Sequence, residues 1–278
     1  MELGMYTAEL SRPTVEELFR DICGYGFTQV QFDFRSVLDE QMPESIPEGL
    51  IQRVREAADE YGVTIAAVNG TFNMIHPDPS VRADGVRRFE VLARRVKALG
   101  CDLVTLCTGS RDPGNMWRWS VGNDAPDAWR DLLATMRHVL DIAEAHDLRL
   151  GLETEASNCM NTMERCRQLI DAFESPRLVV IMDIANLFQR GQARRENVRP
   201  IMRRAFDLLG DRVALAHGKD ILEGDGLEFT HAGNGIVDFL YFKELLDDSG
   251  YRGSMILHGF KREADFPGSV EFVRSAMV

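Results

Sequence analysis

The amino-acid sequence predicts an α/β fold, a single (β/α)8 TIM barrel spanning 1–278, on three observations. Its 278 residues, shared among eight units, leave about 35 for each strand and its helix, the size such a unit needs. Eight short aliphatic or β-branched runs alternate with longer stretches of helical periodicity. The links that follow strands are long and those that follow helices are short, which in a barrel gathers the long ones on one face.

The runs that read as strands are 3–7, 28–34, 64–69, 103–107, 149–153, 178–183, 213–217 and 254–258. Leu178-Val179-Val180-Ile181-Met182 is apolar without alternation, as a strand covered on both faces requires. Between the strands lie helical stretches with local punctuation. Thr14 followed by Glu17 fits a capping box, and the helix over 86–99 runs into Gly100, a good C-terminal stop. Long strand-to-helix links fall at 35–47, 70–79, 109–125 and 219–236. No linker or low-complexity run marks a second domain.

Hydrophobic residues at 45% and charged residues at 27% exclude a disordered or fibrous chain. The formal charge of −12 repels phosphate backbones and anionic lipid, so neither a nucleic-acid nor a membrane partner is expected. The N-terminus enters a strand directly, without a basic or apolar leader, and a cytoplasmic protein is expected. Cys23, Cys101, Cys107, Cys159 and Cys166 are odd in number and form no CxxC pair, so reduced thiols are expected.

Four consecutive strand ends carry metal-capable side chains: Glu153, Asp183, His217 and His258, at separations of 30, 34 and 41 residues. If the barrel closes, these converge on one rim as two oxygen and two nitrogen donors, a set suited to one divalent ion. Taken singly, each is equally well a buried, hydrogen-bonded polar residue.

At these residues the chain resembles the xylose-isomerase-like TIM-barrel family of sugar isomerases and epimerases. The matching stretches are Leu150-Gly151-Leu152-Glu153, Val180-Ile181-Met182-Asp183, Ala216-His217-Gly218-Lys219-Asp220, the segment 233–239 and Gly250-Tyr251-Arg252-Gly253. Members hold Mn²⁺, Co²⁺, Mg²⁺ or Zn²⁺ with Glu, Asp, His and Glu from the last four strands. The resemblance therefore implies Glu153, Asp183 and His217 as ligands, with Mn²⁺ the first expectation. Two positions depart from the pattern. His258 stands where a second glutamate is usual, and Asn186 stands where a histidine often follows the aspartate by three.

The first departure bears on the reaction. Family epimerases place a glutamate on each face of the substrate, one removing the proton α to a carbonyl and the other returning it. With His258 that symmetry is lost, and two carboxylates, two neutral imidazoles and a divalent ion sum to zero charge, a stronger Lewis acid than the usual set. The leading expectation is a metal-dependent isomerase or epimerase of a small keto-sugar or polyol. Glu153 serves as ligand and base, His258 as fourth ligand or as acid and base, and Lys219 stabilises an oxyanion. The rivals are a lyase or dehydratase acting on a 3-keto-glycoside or keto-cyclitol, and a non-catalytic metal- and sugar-binding subunit of a homo-oligomer or hetero-complex. An endonuclease of the same superfamily would need a basic groove, which an acidic chain with six histidines does not supply.

Further residues are candidates for substrate contact. His76 lies in a loop with Pro77 and Pro79, where a plain turn serves equally. Glu155 lies two beyond Glu153 and is a candidate second carboxylate; Asn186 and Trp117 complete the expected substrate contacts. Trp119 and Phe72 offer aromatic planes or core packing, and His231 lies in the long seventh loop. Lys219 and Asp220 alternatively form a surface pair. Gly233-Asn234-Gly235 lacks a P-loop lysine and reads as a turn, and no Gly-Xaa-Ser-Xaa-Gly elbow is present.

Overall fold

The computed structural model describes residues 1–277. Eight parallel strands close into a barrel: β1 (Leu3–Tyr6), β2 (Gln29–Phe32), β3 (Thr64–Asn69), β4 (Leu103–Leu106), β5 (Arg149–Glu153), β6 (Leu178–Asp183), β7 (Val213–Ile221) and, after a hairpin strand β8 (Phe229–His231), β9 (Met255–Leu257). They follow one another in chain order, and β7 pairs with β9 and β9 with β1 to close the ring.

The intervening helices are α1 (Val15–Gly24), the short α2 (Arg35–Leu38), α3 (Glu48–Glu60), α4 (Pro79–Val96), α5 (Pro126–Ala145), α6 (Met163–Phe173), α7 (Arg195–Leu209), α8 (Phe239–Asp248) and α9 (Phe266–Ala276). Each of the longer ones turns an apolar stripe inward. On α1, Leu18, Phe19 and Ile22 are fully buried, each worth roughly 1.5–3 kcal/mol of burial. Side chains start several helices, at Thr14 as the capping box suggests. Thr14 accepts the Glu17 N–H at 3.2 Å, Thr162 the Arg165 N–H at 3.2 Å, and Asp238 the Tyr241 N–H at 3.0 Å. Gly100 adopts φ of 78°, the left-handed stop expected of it.

Register explains the convergence at the rim. In a parallel pair, facing residues point to the same side of the sheet, and so do residues two apart on one strand. Glu153 pairs with Ile181, two before Asp183; Asp183 pairs with His217; and His217 pairs with Ile256, two before His258. All four side chains therefore point into the barrel at neighbouring levels of its stagger.

The structure corrects the expected seventh unit. The strand runs on from His217 to Ile221 and folds back on β8, with Lys219 opposite His231 and Ile221 opposite Phe229. Lys219 and His231 thus sit in a short antiparallel ribbon and not in an open loop. Among the described residues no helix is long and apolar enough to cross a membrane, and all five cysteines are free.

Candidate metal centre and active site

One donor atom from each of Glu153, Asp183, His217 and His258 lies within 4.8 Å of the others. His258 Nε2 is 2.9 Å from Asp183 Oδ2, and His217 Nδ1 is 3.4 Å from Glu153 Oε1 and 3.7 Å from Asp183 Oδ2. Asp183 and His217 are 2% and 3% exposed, so these charges have little water to solvate them.

Gln31, which the sequence reading did not single out, sets the chemistry of His217. Its Oε1 lies 2.7 Å from His217 Nε2, while its own amide nitrogen donates to Thr105 Oγ1 at 3.2 Å. That second bond fixes the amide so that its oxygen faces the imidazole, and Nε2 must carry the proton. The other ring nitrogen, Nδ1, is buried without a hydrogen-bond partner and faces two carboxylates. A lone pair aimed at carboxylate oxygens is tenable only with a cation between them.

In the protein alone a proton supplies that cation. Burial by itself would lower the His217 imidazolium, yet Glu153 and Asp183 outweigh it and raise the ring to about 9. For Asp183 burial pushes upward, but Lys219 and the two histidines hold it well below the usual carboxylate range. Burial dominates at His258 and lowers it, favouring the neutral imidazole that a ligand requires. Two carboxylates, one oriented lone pair and a neutral imidazole make a donor set that fits a divalent ion.

Lys219 is 7% exposed. Its Nζ donates to Asn186 Oδ1, lies 3.4 Å from Asp183 Oδ2 and stands 4.2 Å over the Phe229 ring. The expectation of a surface pair with Asp220 is overturned. Asp220 is 1% exposed and accepts the N–H groups of Ile221, Gly233, Gly235 and Val237 at 2.9–3.1 Å. The Gly-Asn-Gly segment is thus a nest for the protein's own carboxylate. Gly233 adopts φ of 90°, and a Cβ on Gly235 would collide with the Asp220 carboxylate. Asn186 bridges the site, since its Nδ2 donates to Glu153 Oε1 at 2.8 Å while its Oδ1 receives the Lys219 ammonium.

An inner cavity of about 160 Å³ opens above these groups. Glu153, Glu155, His217, Lys219, His258 and Trp117 line it, together with Tyr6, Gln31, Asn69 and Thr71. In the same cavity lining Tyr6 donates to Asp33, and Asn69 Nδ2 bonds to both, at 2.9 and 2.7 Å. A larger outer cavity of about 810 Å³ adjoins it, sharing Trp117 and Glu155.

Of the residues expected at the site, Glu153, Asp183, His217 and His258 converge, and Lys219, Glu155 and Trp117 join them. Burial pushes the Glu155 carboxyl up. Asn186 touches Glu153 and Lys219 without lining the cavity, and so orients both. His76 spends both ring nitrogens on loop backbone: Nδ1 accepts the Asp78 N–H at 3.1 Å, and Nε2 lies 3.2 Å from Pro113 O. Phe72 is buried against Gly85, and His231 stacks on Phe260 at 5.8 Å.

Besides Gln31, sequence reasoning missed Tyr6, Asn69 and Glu9. Glu9 Oε1 accepts the Gly259 N–H at 2.8 Å, just past His258, and its Oε2 is buried without a partner. Burial raises its carboxyl from 4.5 to about 7, against the pull of the Gly259 and Phe260 N–H groups and the charges of Lys219 and His217. The available signal was a polar residue inside an apolar strand, as Gln31 is in Val30-Gln31-Phe32.

The fold is shared with solved structures of low sequence identity. A 3-keto-D-glucoside 4-epimerase from E. coli superposes with a TM-score of 0.76 at 18% identity, covering 99% of each chain. A D-psicose 3-epimerase from Clostridium cellulolyticum H10, solved with D-tagatose, gives 0.75 at 17% identity over 100% of this chain and 99% of its own. The probable 3-DHS dehydratase AsbF from Bacillus anthracis gives 0.75 at 13% identity over 100% and 97%. No curated protein matches the sequence. Residues 19–276 match the xylose isomerase-like TIM barrel family, and the chain with its closed eight-stranded barrel belongs to that family.

Proposed function

We propose that the chain is a divalent-metal-dependent epimerase or isomerase of a small keto-sugar that works by removing a proton α to a carbonyl. The observation that carries this reading is the orientation of His217 Nδ1, which Gln31 turns toward Glu153 and Asp183, where a divalent ion would replace the proton between them. Similarity in fold to sugar epimerases supports the substrate class.

Glu153, Asp183, His217 and His258 would hold the ion, which when bound supplies Lewis-acid polarisation of a carbonyl. The chain's own residues do the rest. Asn186 holds Glu153 Oε1 at 2.8 Å, leaving the second carboxylate oxygen to take the proton, while the C–H electron pair moves into the forming C=C bond. Lys219, fixed by Asn186 and Asp183, presents a positive charge to the oxygen that gains negative charge. Tyr6 and Asn69 in the lining of the inner cavity bind hydroxyls. Epimerisation then needs a proton returned to the opposite face, for which Glu155 is the remaining carboxyl group in the cavity lining.

A second reading is elimination or dehydration of a keto-sugar, favoured by one observation: His258 occupies the place of a carboxylate. Elimination needs one base and a protonated leaving group, so it does not require a second carboxylate.

The experiment is product analysis by NMR with metal-loaded protein on keto-hexoses and 3-keto-glucosides. An epimer or aldose product upholds the reading; an unsaturated product assigns elimination. Stoichiometric metal without turnover of any keto-sugar would overturn both.

A further inference from the structure

The cavity system is larger than a single small sugar needs, and its outer part has the chemistry of a second site. The inner cavity holds about 160 Å³ and the outer about 810 Å³. They adjoin at Trp117 and Glu155, which line both, and at Lys219, which lines the inner cavity and stands over the Phe229 ring of the outer one.

Trp117 and Trp119 are 47% and 49% exposed, among the most exposed large apolar side chains described. Their loop is nonetheless anchored. Asn158 Nδ2 donates to Met116 O at 3.1 Å, and Ser110 Oγ donates to Arg118 O at 2.6 Å, so both backbone neighbours of Trp117 are tied to buried residues of the loops that follow β5 and β4. Two indoles held out over a cavity by a fixed loop are presented to a ligand at little entropic cost.

The polar lining says which ligand. Asp124, Asn161, Arg190 and Glu228 line the outer cavity, and none of these side chains makes a hydrogen bond or ion pair among the described residues. Three carboxyl groups, Asp124, Glu155 and Glu228, face a single cation, Arg190. That balance disfavours a phosphate or nucleotide, and the spread of donors and acceptors is more than a bare aryl group needs. An uncharged ring with apolar C–H faces and hydroxyl edges uses both the indoles and the free polar groups.

We infer that the outer cavity is a binding site for a second, uncharged sugar ring, so that the substrate is a glycoside whose keto-sugar enters the inner cavity and whose other ring lies against Trp117 and Trp119. The inference rests on the keto-sugar reading of the inner site, but its own test is a binding measurement that needs no turnover.

Two of the chain's three tryptophans line this cavity, so intrinsic fluorescence reports its occupancy. The metal-loaded protein is titrated with cellobiose, maltose, trehalose, glucose, glucose 6-phosphate and p-nitrophenyl glucoside. The expected result is a saturable change with at least one neutral disaccharide, at an affinity at least tenfold above glucose and glucose 6-phosphate. Trp119→Ala should weaken that binding about tenfold, Trp119→Phe should restore most of it, and the exposed Arg190→Ala should weaken it severalfold. Turnover of 3-keto-glucose and of 3-keto-disaccharides is measured alongside. A disaccharide response without turnover upholds the outer site and overturns the reaction. Turnover of 3-keto-glucose with no disaccharide preference in binding or in kcat/KM overturns the outer site alone. Tighter binding of glucose 6-phosphate or of the aryl glucoside than of every disaccharide overturns the sugar-ring assignment.

Discussion

Gln31 and His217, 186 residues apart in sequence, meet across the barrel with Oε1 and Nε2 2.7 Å apart, and this contact turns the other imidazole nitrogen toward Glu153 and Asp183. Hydrogen bonds of this kind to a ligating histidine fix its tautomer and raise its basicity, and losing one costs about 10–100-fold in metal affinity. Gln31→Leu is expected to weaken Mn²⁺ or Zn²⁺ binding by that factor in competition with a chromophoric chelator. Gln31→Glu keeps an acceptor at the same reach and should recover most of the loss. Unchanged affinity in Gln31→Leu would remove this contact from the account.

His258 separates the two reaction classes. His258→Glu places a second carboxylate beside Asp183, whose Oδ2 lies 2.9 Å from the present imidazole. Like charges at this range destabilise the metal-free protein and are relieved by a cation, so the rise in Tm on adding metal should be larger than in wild type. Epimerisation should be preserved or increased, because a carboxylate then stands on each face of the substrate. For a lyase that relies on a neutral, strongly polarising ion, the same change should lower turnover instead.

Asp220 is a structural carboxylate, and its replacement tests the assignment of the Gly-Asn-Gly segment. Asp220→Asn replaces one acceptor oxygen with an NH2 group that faces backbone N–H donors and cannot accept from them, at a cost of about 2–4 kcal/mol. In a chain of this size that lowers Tm by roughly 5–10 °C. Metal stoichiometry at low temperature should be unaffected. A Tm within 1–2 °C of wild type, about the margin of such a measurement, would contradict the role.

Glu9 gives a pH signature. Its carboxyl is raised from 4.5 to about 7 in the folded protein, chiefly by burial. An acid whose pKa is higher folded than unfolded favours folding while protonated. The penalty for ionising it is therefore absent below pH 4.5, grows between 4.5 and 7, and is complete above 7, at about 3 kcal/mol. In chelator-treated protein, Glu9→Gln should be more stable than wild type by about 1–3 kcal/mol at pH 8 in urea unfolding, with the difference gone by about pH 4.5. A difference independent of pH would contradict the burial of this group.

The parts of the fold written in local patterns were legible from sequence. Thr64–Asn69, Arg149–Glu153 and Leu178–Asp183 are strands at the bounds the aliphatic runs suggest, because a strand covered by helices must be apolar throughout. The extension of β7 to Ile221 was hidden by its composition: Gly218, Lys219 and Asp220 read as loop, yet each has a tertiary reason to be there. The four donors were visible because each closes an aliphatic run in the sequence. Gln31 and Glu9 were not, since their roles depend on which residues face them across the barrel, and no spacing along the chain encodes that. Asp220 misled for the same reason, its partners lying as far on as Val237.

The central claim is metal-dependent removal of a proton α to a carbonyl with Glu153 as the base. The measurement that tests it most directly is solvent-deuterium incorporation into keto-hexoses and 3-keto-glucosides, followed by NMR for the metal-loaded protein, the chelator-treated protein and Glu153→Gln. Deuterium should enter at the carbon α to the carbonyl with the loaded wild type alone, with the chelated sample silent. Glu153→Gln should be slowed by at least about a hundredfold, the contribution typical of a positioned general base. Exchange at wild-type rate in Glu153→Gln, or no exchange into any of these sugars by protein carrying one divalent ion per chain, would contradict it.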